Sequence, residues 1–133
     1  AAMPMADGFL DTLPQAEVGM IGAMRKESNQ LEIDLSYIAI PDISDKRVII
    51  VDPMLATGKS MVKTVDNLLQ KGMPAKVDFA CLVSAPEGID YLKQNISIPF
   101  TLWTCAKDKE LNDQYFIIPG LGDAGDLSFG RKI

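Results

Sequence analysis

Val51-Asp52-Pro53-Met54-Leu55-Ala56-Thr57-Gly58-Lys59-Ser60 is the stretch whose reading decides the fold. It begins at the end of Arg47-Val48-Ile49-Ile50-Val51, a near-continuous β-branched run of the kind found in central parallel strands. Beyond it, Met61, Val65, Leu68 and Leu69 share one face of a helix expected over 60–70, with Gly72 as its stop. The stretch is therefore a strand-to-helix connection. Its ending, Gly58-Lys59-Ser60, is also how a nucleoside-triphosphate P-loop ends, but that motif, G-x-x-x-x-G-K-[ST], requires glycine at position 53. Position 53 is Pro53, which cannot adopt positive φ and has no N–H to aim at a phosphate. Only half of the motif is present, so an NTPase is not the expected class.

Outward from this unit, strands are expected at Val77–Ser84, Phe100–Thr104 and Tyr115–Ile118, with a helix at Glu87–Asn95 that carries Ile89, Leu92 and Ile96 on its inner side. Strand and helix alternate, which predicts an α/β fold with a parallel sheet and right-handed crossovers. Toward the N-terminus, Ala6, Phe9, Leu10 and Leu13 are spaced as a helix face, with Pro4 tolerable only in a first turn. Glu17–Met24 reads as a strand, 25–30 as a polar loop, and Leu31–Ile40 as an alternating strand, together a hairpin. With no repeat and no linker, residues 1–133 are expected to form a single domain.

The chain has 133 residues, 47% hydrophobic and 23% charged, enough to bury a core. A net charge of −5 without a basic face argues against nucleic-acid binding. The lack of a long apolar run and of a charged-then-apolar leader predicts no membrane association and a cytoplasmic setting. Of the two cysteines, Cys81 sits in an apolar run and is expected to be buried and inert, with Cys105 as a second such residue. There is no histidine, which excludes Ser-His-Asp and Cys-His mechanisms and leaves zinc without its usual ligands. Chemistry must rest on carboxylates, hydroxyls, Lys and Arg, the backbone and Mg²⁺.

Asp52 ends a buried strand beside a helix N-terminus, where outward N–H groups and the Thr57 and Ser60 hydroxyls suit a phosphate monoester. The Asp52 carboxylate suits ribose hydroxyls as an acceptor. That pairing describes a sugar-phosphate site; a plain β–α turn capped by Thr57 or Ser60 fits the same residues. A second glycine motif, Gly120-Leu121-Gly122-Asp123-Ala124-Gly125, has the literal form of a dinucleotide fingerprint. Such a fingerprint needs a following helix, a further strand and an acidic residue about twenty positions on. A glycine-rich turn after a strand is expected there instead.

Three motifs in this order and spacing, Val51–Ser60, Cys81-Leu82-Val83-Ser84-Ala85-Pro86-Glu87-Gly88-Ile89 and Ile117-Ile118-Pro119-Gly120-Leu121-Gly122-Asp123-Ala124-Gly125-Asp126, resemble uracil phosphoribosyltransferases. Met5-Ala6-Asp7-Gly8-Phe9-Leu10 and Val18-Gly19-Met20-Ile21-Gly22 resemble the family too, so the similarity covers nearly the whole chain. The resemblance implies the type I phosphoribosyltransferase fold, a parallel sheet with flanking helices plus a β-hairpin arm. It implies transfer of a phosphoribosyl group from 5-phosphoribosyl 1-diphosphate (PRPP) to uracil, giving UMP and pyrophosphate, in pyrimidine salvage. Mg²⁺ would come with PRPP rather than from a protein metal site. A homo-oligomer, dimer or larger, and activation by GTP in some members are also implied. The alternative class is a non-catalytic relative that binds PRPP or a nucleotide, or an inactive fragment.

Carried over by position, the resemblance places PRPP against Arg25, Asp52, Pro53, Met54, Leu55, Ala56, Thr57, Gly58, Lys59, Ser60 and Asp123. Uracil would lie against Ile117, Gly122, Asp123 and Ala124, and catalysis would rest on Asp123 and Arg25. Three departures follow. Lys59 stands where a second loop glycine is usual, and clashes if that position needs positive φ. Phe116 replaces a common tyrosine. The family's preceding region, with part of the hood and sheet, has no counterpart before Ala1, so an N-terminally incomplete domain is expected.

Overall fold

In the computed structural model the described residues are 1–26 and 29–130, with side chains described outside 24–34. Helix α1 (Met3–Thr12) carries Pro4 in its first turn. An antiparallel hairpin follows, β1 (Met20–Lys26) with β2 (Asn29–Ala39), whose register slips between Gly22 and Ala23 and between Arg25 and Lys26. The remainder is β3 (Arg47–Val51), β4 (Met54–Leu55), α2 (Lys59–Leu69), β5 (Lys76–Ser84), α3 (Pro86–Asn95), β6 (Phe100–Lys107), β7 (Glu110–Leu111), β8 (Ile117–Ile118) and α4 (Ala124–Phe129).

β5 is the centre of a parallel sheet. β3 and then β4 run along one of its edges, and β6 pairs along the other. The expected alternation of strand and helix is therefore present, with the hairpin as a separate two-stranded sheet. Pro53 interrupts the β3–β4 edge because it cannot donate to the ladder. Its carbonyl compensates by accepting from both the Leu82 and Val83 N–H groups at 3.1 Å, while the Asp52 N–H reaches the Ala80 carbonyl at 3.1 Å. The edge then resumes as β4, a strand that the proline conceals in the sequence.

Alternation along β5 sends Val77, Phe79 and Cys81 to one face, where they join Leu55, Met61, Val65 and Leu92 in a buried cluster under α2 and α3. Phe79 and Phe100 meet edge to face, 5.4 Å between ring centres. The other face of β5 carries Asp78, whose buried carboxylate takes the Arg47 Nε at 2.7 Å, the Trp103 Nε1 at 3.0 Å and the Lys76 Nζ at 3.2 Å. These three partners come from β3, β5 and β6, so one carboxylate ties the N-terminal end of the sheet together. The Arg47 hydrogen bond, against the opposing cost of burial, leads in lowering the Asp78 pKa to about 2.

The structure differs from the sequence expectations in four places. The polar loop over 25–30 shrinks, because Arg25 and Lys26 extend β1 and Asn29 and Gln30 begin β2; residues 27 and 28 lie outside the described residues. The Tyr115–Ile118 strand contracts to Ile117–Ile118, since Tyr115 takes a positive φ of 63° in the preceding turn. Cys105, in β6, is exposed rather than buried. The glycine-rich turn does open a helix, the six-residue α4, capped by the Asp123 carboxylate accepting from the Asp126 N–H at 3.0 Å.

Candidate active site

The site forms where parallel strands end and helices begin, the edge at which α/β sheets bind ligands. Asp52 leaves β3 and turns the chain, its Oδ1 accepting from the Met54 N–H at 3.2 Å. The loop over 53–58 then rises into α2 through Gly58, the residue before the helix, in left-handed conformation at φ 77°. A Cβ at Gly58 would stand 2.8 Å from the Gly88 carbonyl oxygen, so both backbone angle and space require glycine. Gly58 itself has no side chain to cap α2, and Thr57 Oγ1 accepts from the Lys59 N–H in a long, 3.5 Å contact. The first α2 donor to reach a helix carbonyl is Val62, bonded to Gly58 at 3.0 Å. The helix start thus presents its early N–H groups without an acidic side chain in the first turn.

α3 holds this loop from below. A Cβ at Gly88 would lie 2.3 Å from the Ala56 carbonyl oxygen and 3.1 Å from the Leu55 side chain. The Cys81–Ile89 motif therefore acts through backbone proximity: Gly88 lets α3 pack directly beneath the loop. Sequence reasoning left Gly88 out of the site, since glycine at a helix start carries no chemical signal of its own.

A cavity of about 130 Å³ joins the two ends of the sequence pattern. Its walls are the loop from Asp52 to Gly58 with Ser60 and Met61, Ala124 with Gly125 at the start of α4, and Ala1. Residues over seventy positions apart thus line one space. Of the expected base-pocket residues, Ala124 lines this cavity. Ile117 is buried, while Gly122 at φ 83° and Asp123 lead into α4. Gly120, at φ 60°, turns so tightly that a Cβ would fall 2.1 Å from the Ile117 carbonyl oxygen.

Lys59 is resolved differently from its expectation. It is the first residue of α2, and the positive φ belongs to Gly58, so lysine at 59 meets no backbone strain. It does not line the cavity with Asp52; with Thr57, Tyr91 and Tyr115 it lines a wider, open groove of about 620 Å³ on the loop's other side. Arg25 lies in β1, and its side chain is outside the described residues. Among the described residues, no group of three or more His, Cys, Asp or Glu side chains is placed to hold a metal ion. Burial first, then the Asp52 charge, pushes the Cys81 thiol up to about 12, which makes it inert beside the site.

The comparisons with known proteins match this layout. The profile described as uracil phosphoribosyltransferase matches residues 1–131. The chain is 39% identical over 131 residues to the uracil phosphoribosyltransferase of Methanothermobacter thermautotrophicus, covering 98% of this chain and 60% of that protein. Against the uracil phosphoribosyltransferase of Dictyoglomus turgidum, identity is 47% over 133 residues, covering 99% of this chain and 63% of that one. The solved structure of the AQ2163 protein from Aquifex aeolicus has a TM-score of 0.89 at 34% identity, over 96% of this chain and 60% of that one. At 19% identity and a TM-score of 0.58, the crystal structure of a purine phosphoribosyltransferase from Pyrococcus horikoshii shares the fold over 79% of this chain and 63% of its own. The chain spans about three fifths of the length of the curated relatives it matches.

Proposed function

The chain belongs to the uracil phosphoribosyltransferase family, and from that premise we propose that it carries the PRPP and uracil subsites of an enzyme making UMP and pyrophosphate. The observation that carries this reading is the single cavity lined by both the Asp52–Met61 segment and Ala124-Gly125. PRPP would lie with its 5′-phosphate over 56–60, where helix N–H groups and the Thr57 and Ser60 hydroxyls converge. Asp52 would accept hydrogen bonds from the ribose hydroxyls. Pro53, Met54 and Leu55 form the floor, and Lys59 contributes main chain rather than side chain. Uracil would lie along the backbone of 117–124, whose glycines permit close approach.

In the reaction the C1–O bond to pyrophosphate breaks, a C1–N bond to uracil forms, and the uracil nitrogen gives up its proton. The chain's part is to align two bound ligands and exclude water from a cationic sugar centre. Asp123 is the carboxylate proposed to face that centre, and Arg25 is proposed to reach the departing pyrophosphate. Mg²⁺ would arrive with PRPP, and the chemistry it would supply is charge neutralisation at the departing pyrophosphate. The same reading carries a single phosphoribosyltransferase domain, a cytoplasmic setting and a homo-oligomer of two or more copies, with GTP activation a property of some members of the family.

The test is UMP formation by the intact protein that contains this chain, supplied with uracil, PRPP and Mg²⁺. Wild type is expected to turn over, and Asp123→Ala to lower kcat at least a hundredfold, the scale of losing one positioned catalytic group. Folded wild-type protein that forms no UMP would refute the proposal.

A further inference from the structure

We propose that Asp108 is a positioning residue for the nucleobase: its carboxylate anchors the Ile117–Gly122 turn and so sets the affinity for uracil. This inference rests on the functional reading above and extends it to a residue outside the three motifs. Asp108 directly follows β6, at the same sheet edge as Asp52, and its own N–H donates to the Ser84 carbonyl at 2.9 Å. The backbone of Asp108 is thereby fixed to the central strand.

From that fixed point, its Oδ2 accepts the Gly120 N–H at 2.8 Å. A hydrogen bond from an amide to a carboxylate is among the stronger ones available to a loop. The neighbouring Lys109 N–H donates to the Ile118 carbonyl at 3.0 Å, and β7 pairs with β8 through Glu110–Ile118 and Leu111–Ile117. The segment 117–120 thus hangs from residues 108–111. Within it, Gly120 is the tightest point, packed against the Ile117 carbonyl at φ 60°. With its N–H held by Asp108, the turn cannot rotate without breaking that bond. The backbone edge that would read uracil is consequently aimed by a side chain that does not itself line the cavity.

The geometry separates Asp108 from the PRPP side of the site. Asp52 and the 53–60 loop are held by β5 and by α3 at Gly88, and none of their described contacts passes through Asp108. Releasing the turn should therefore weaken uracil binding while leaving PRPP binding near its original value. An asparagine at 108 retains an acceptor oxygen of the same reach, so it should largely restore the anchor.

The experiment compares wild type, Asp108→Ala and Asp108→Asn in the intact protein, by steady-state kinetics and by hydrogen–deuterium exchange of the 117–122 segment. For Asp108→Ala the KM for uracil is expected to rise about tenfold or more, the scale of losing a hydrogen bond to a charged group, with the KM for PRPP within about twofold. Exchange in 117–122 should accelerate, and Asp108→Asn should recover most of both effects. Equal rises in both KM values, a fall in melting temperature alone, or an Asp108→Asn variant as impaired as Asp108→Ala would each overturn the proposal. Unchanged exchange at 117–122 in Asp108→Ala overturns the anchoring whatever the activity. Absence of UMP formation in wild type overturns instead the functional reading on which it rests.

Discussion

Gly88→Ala tests how the 53–58 loop is held. The added methyl would sit 2.3 Å from the Ala56 carbonyl oxygen, well inside any real Cβ contact, and 3.1 Å from Leu55, which is itself buried in the core. The first obstacle is main chain, so it can move only by shifting the loop or by lifting α3. Overpacking of this kind costs about 1–3 kcal/mol. Alanine in a helix returns roughly 0.5–1 kcal/mol relative to glycine. The net is about 1–2 kcal/mol of destabilisation, a fall of about 5 °C in melting temperature for a domain of this size. If the loop rather than α3 yields, PRPP affinity measured by titration calorimetry should fall about tenfold, which corresponds to about 1.4 kcal/mol. Gly8→Ala is the matched control: it lies inside α1 with no atom within 4 Å of its added Cβ, so it should be neutral or slightly stabilising. A Gly88→Ala protein that melts at or above wild type and binds PRPP unchanged would refute the claim that α3 sets the loop by direct contact.

Two further predictions concern charge. Asp78 has its folded pKa lowered from 3.8 to about 2, so its ion pairs stabilise the fold above about pH 4 and are lost as pH falls toward 2. Because Arg47 and Lys76 are 58% and 43% exposed, screening limits this contribution to about 1–2 kcal/mol. Urea denaturation as a function of pH should show Asp78→Asn less stable than wild type at pH 7 and with a flatter decline between about pH 4 and 2; an unchanged acid slope would contradict this. Lys59→Ala should leave PRPP affinity within about fivefold, since its side chain lines the outer groove and a solvent-screened charge contributes at most about 1 kcal/mol. A loss of tenfold or more would place the Lys59 ammonium on the phosphate after all.

Periodicity made the α/β core legible. The β-branched run at 47–51 and the apolar alternation of Val77, Phe79 and Cys81 identify strands because those residues face a buried cluster in the fold. What stayed hidden depends on contacts that local spacing does not encode. β4 is two residues long and follows a proline, so nothing in its own sequence reveals that β5 pairs with it. Tyr115 reads as the start of a strand on composition, yet the turn is held in place by Asn112, whose Oδ1 accepts from the Gln114 and Phe116 N–H groups at 3.0 and 2.9 Å. Cys105 lies on a strand and reads as apolar, but alternation puts it with exposed Trp103 on the face of β6 opposite Phe100 and Leu102, which pack against the core cluster.

The candidate site shows the same division between side-chain chemistry and backbone placement. Asp52, Thr57 and Ser60 were singled out because carboxylates and hydroxyls announce what they can bind, and all three line the cavity. Gly58 and Gly88 make no such announcement, and their meaning appears only once α3 is seen to press on the Ala56 carbonyl. Lys59 misleads in the opposite sense, since a lysine beside a phosphate loop suggests contact with phosphate. Its position is set by the helix that Gly58 starts: a left-handed residue at 58 turns the chain so that 59 enters α2 facing the outer groove. On the proposed reading, the loop would hold phosphate through the direction of its backbone, which is fixed by two glycines and a proline carbonyl.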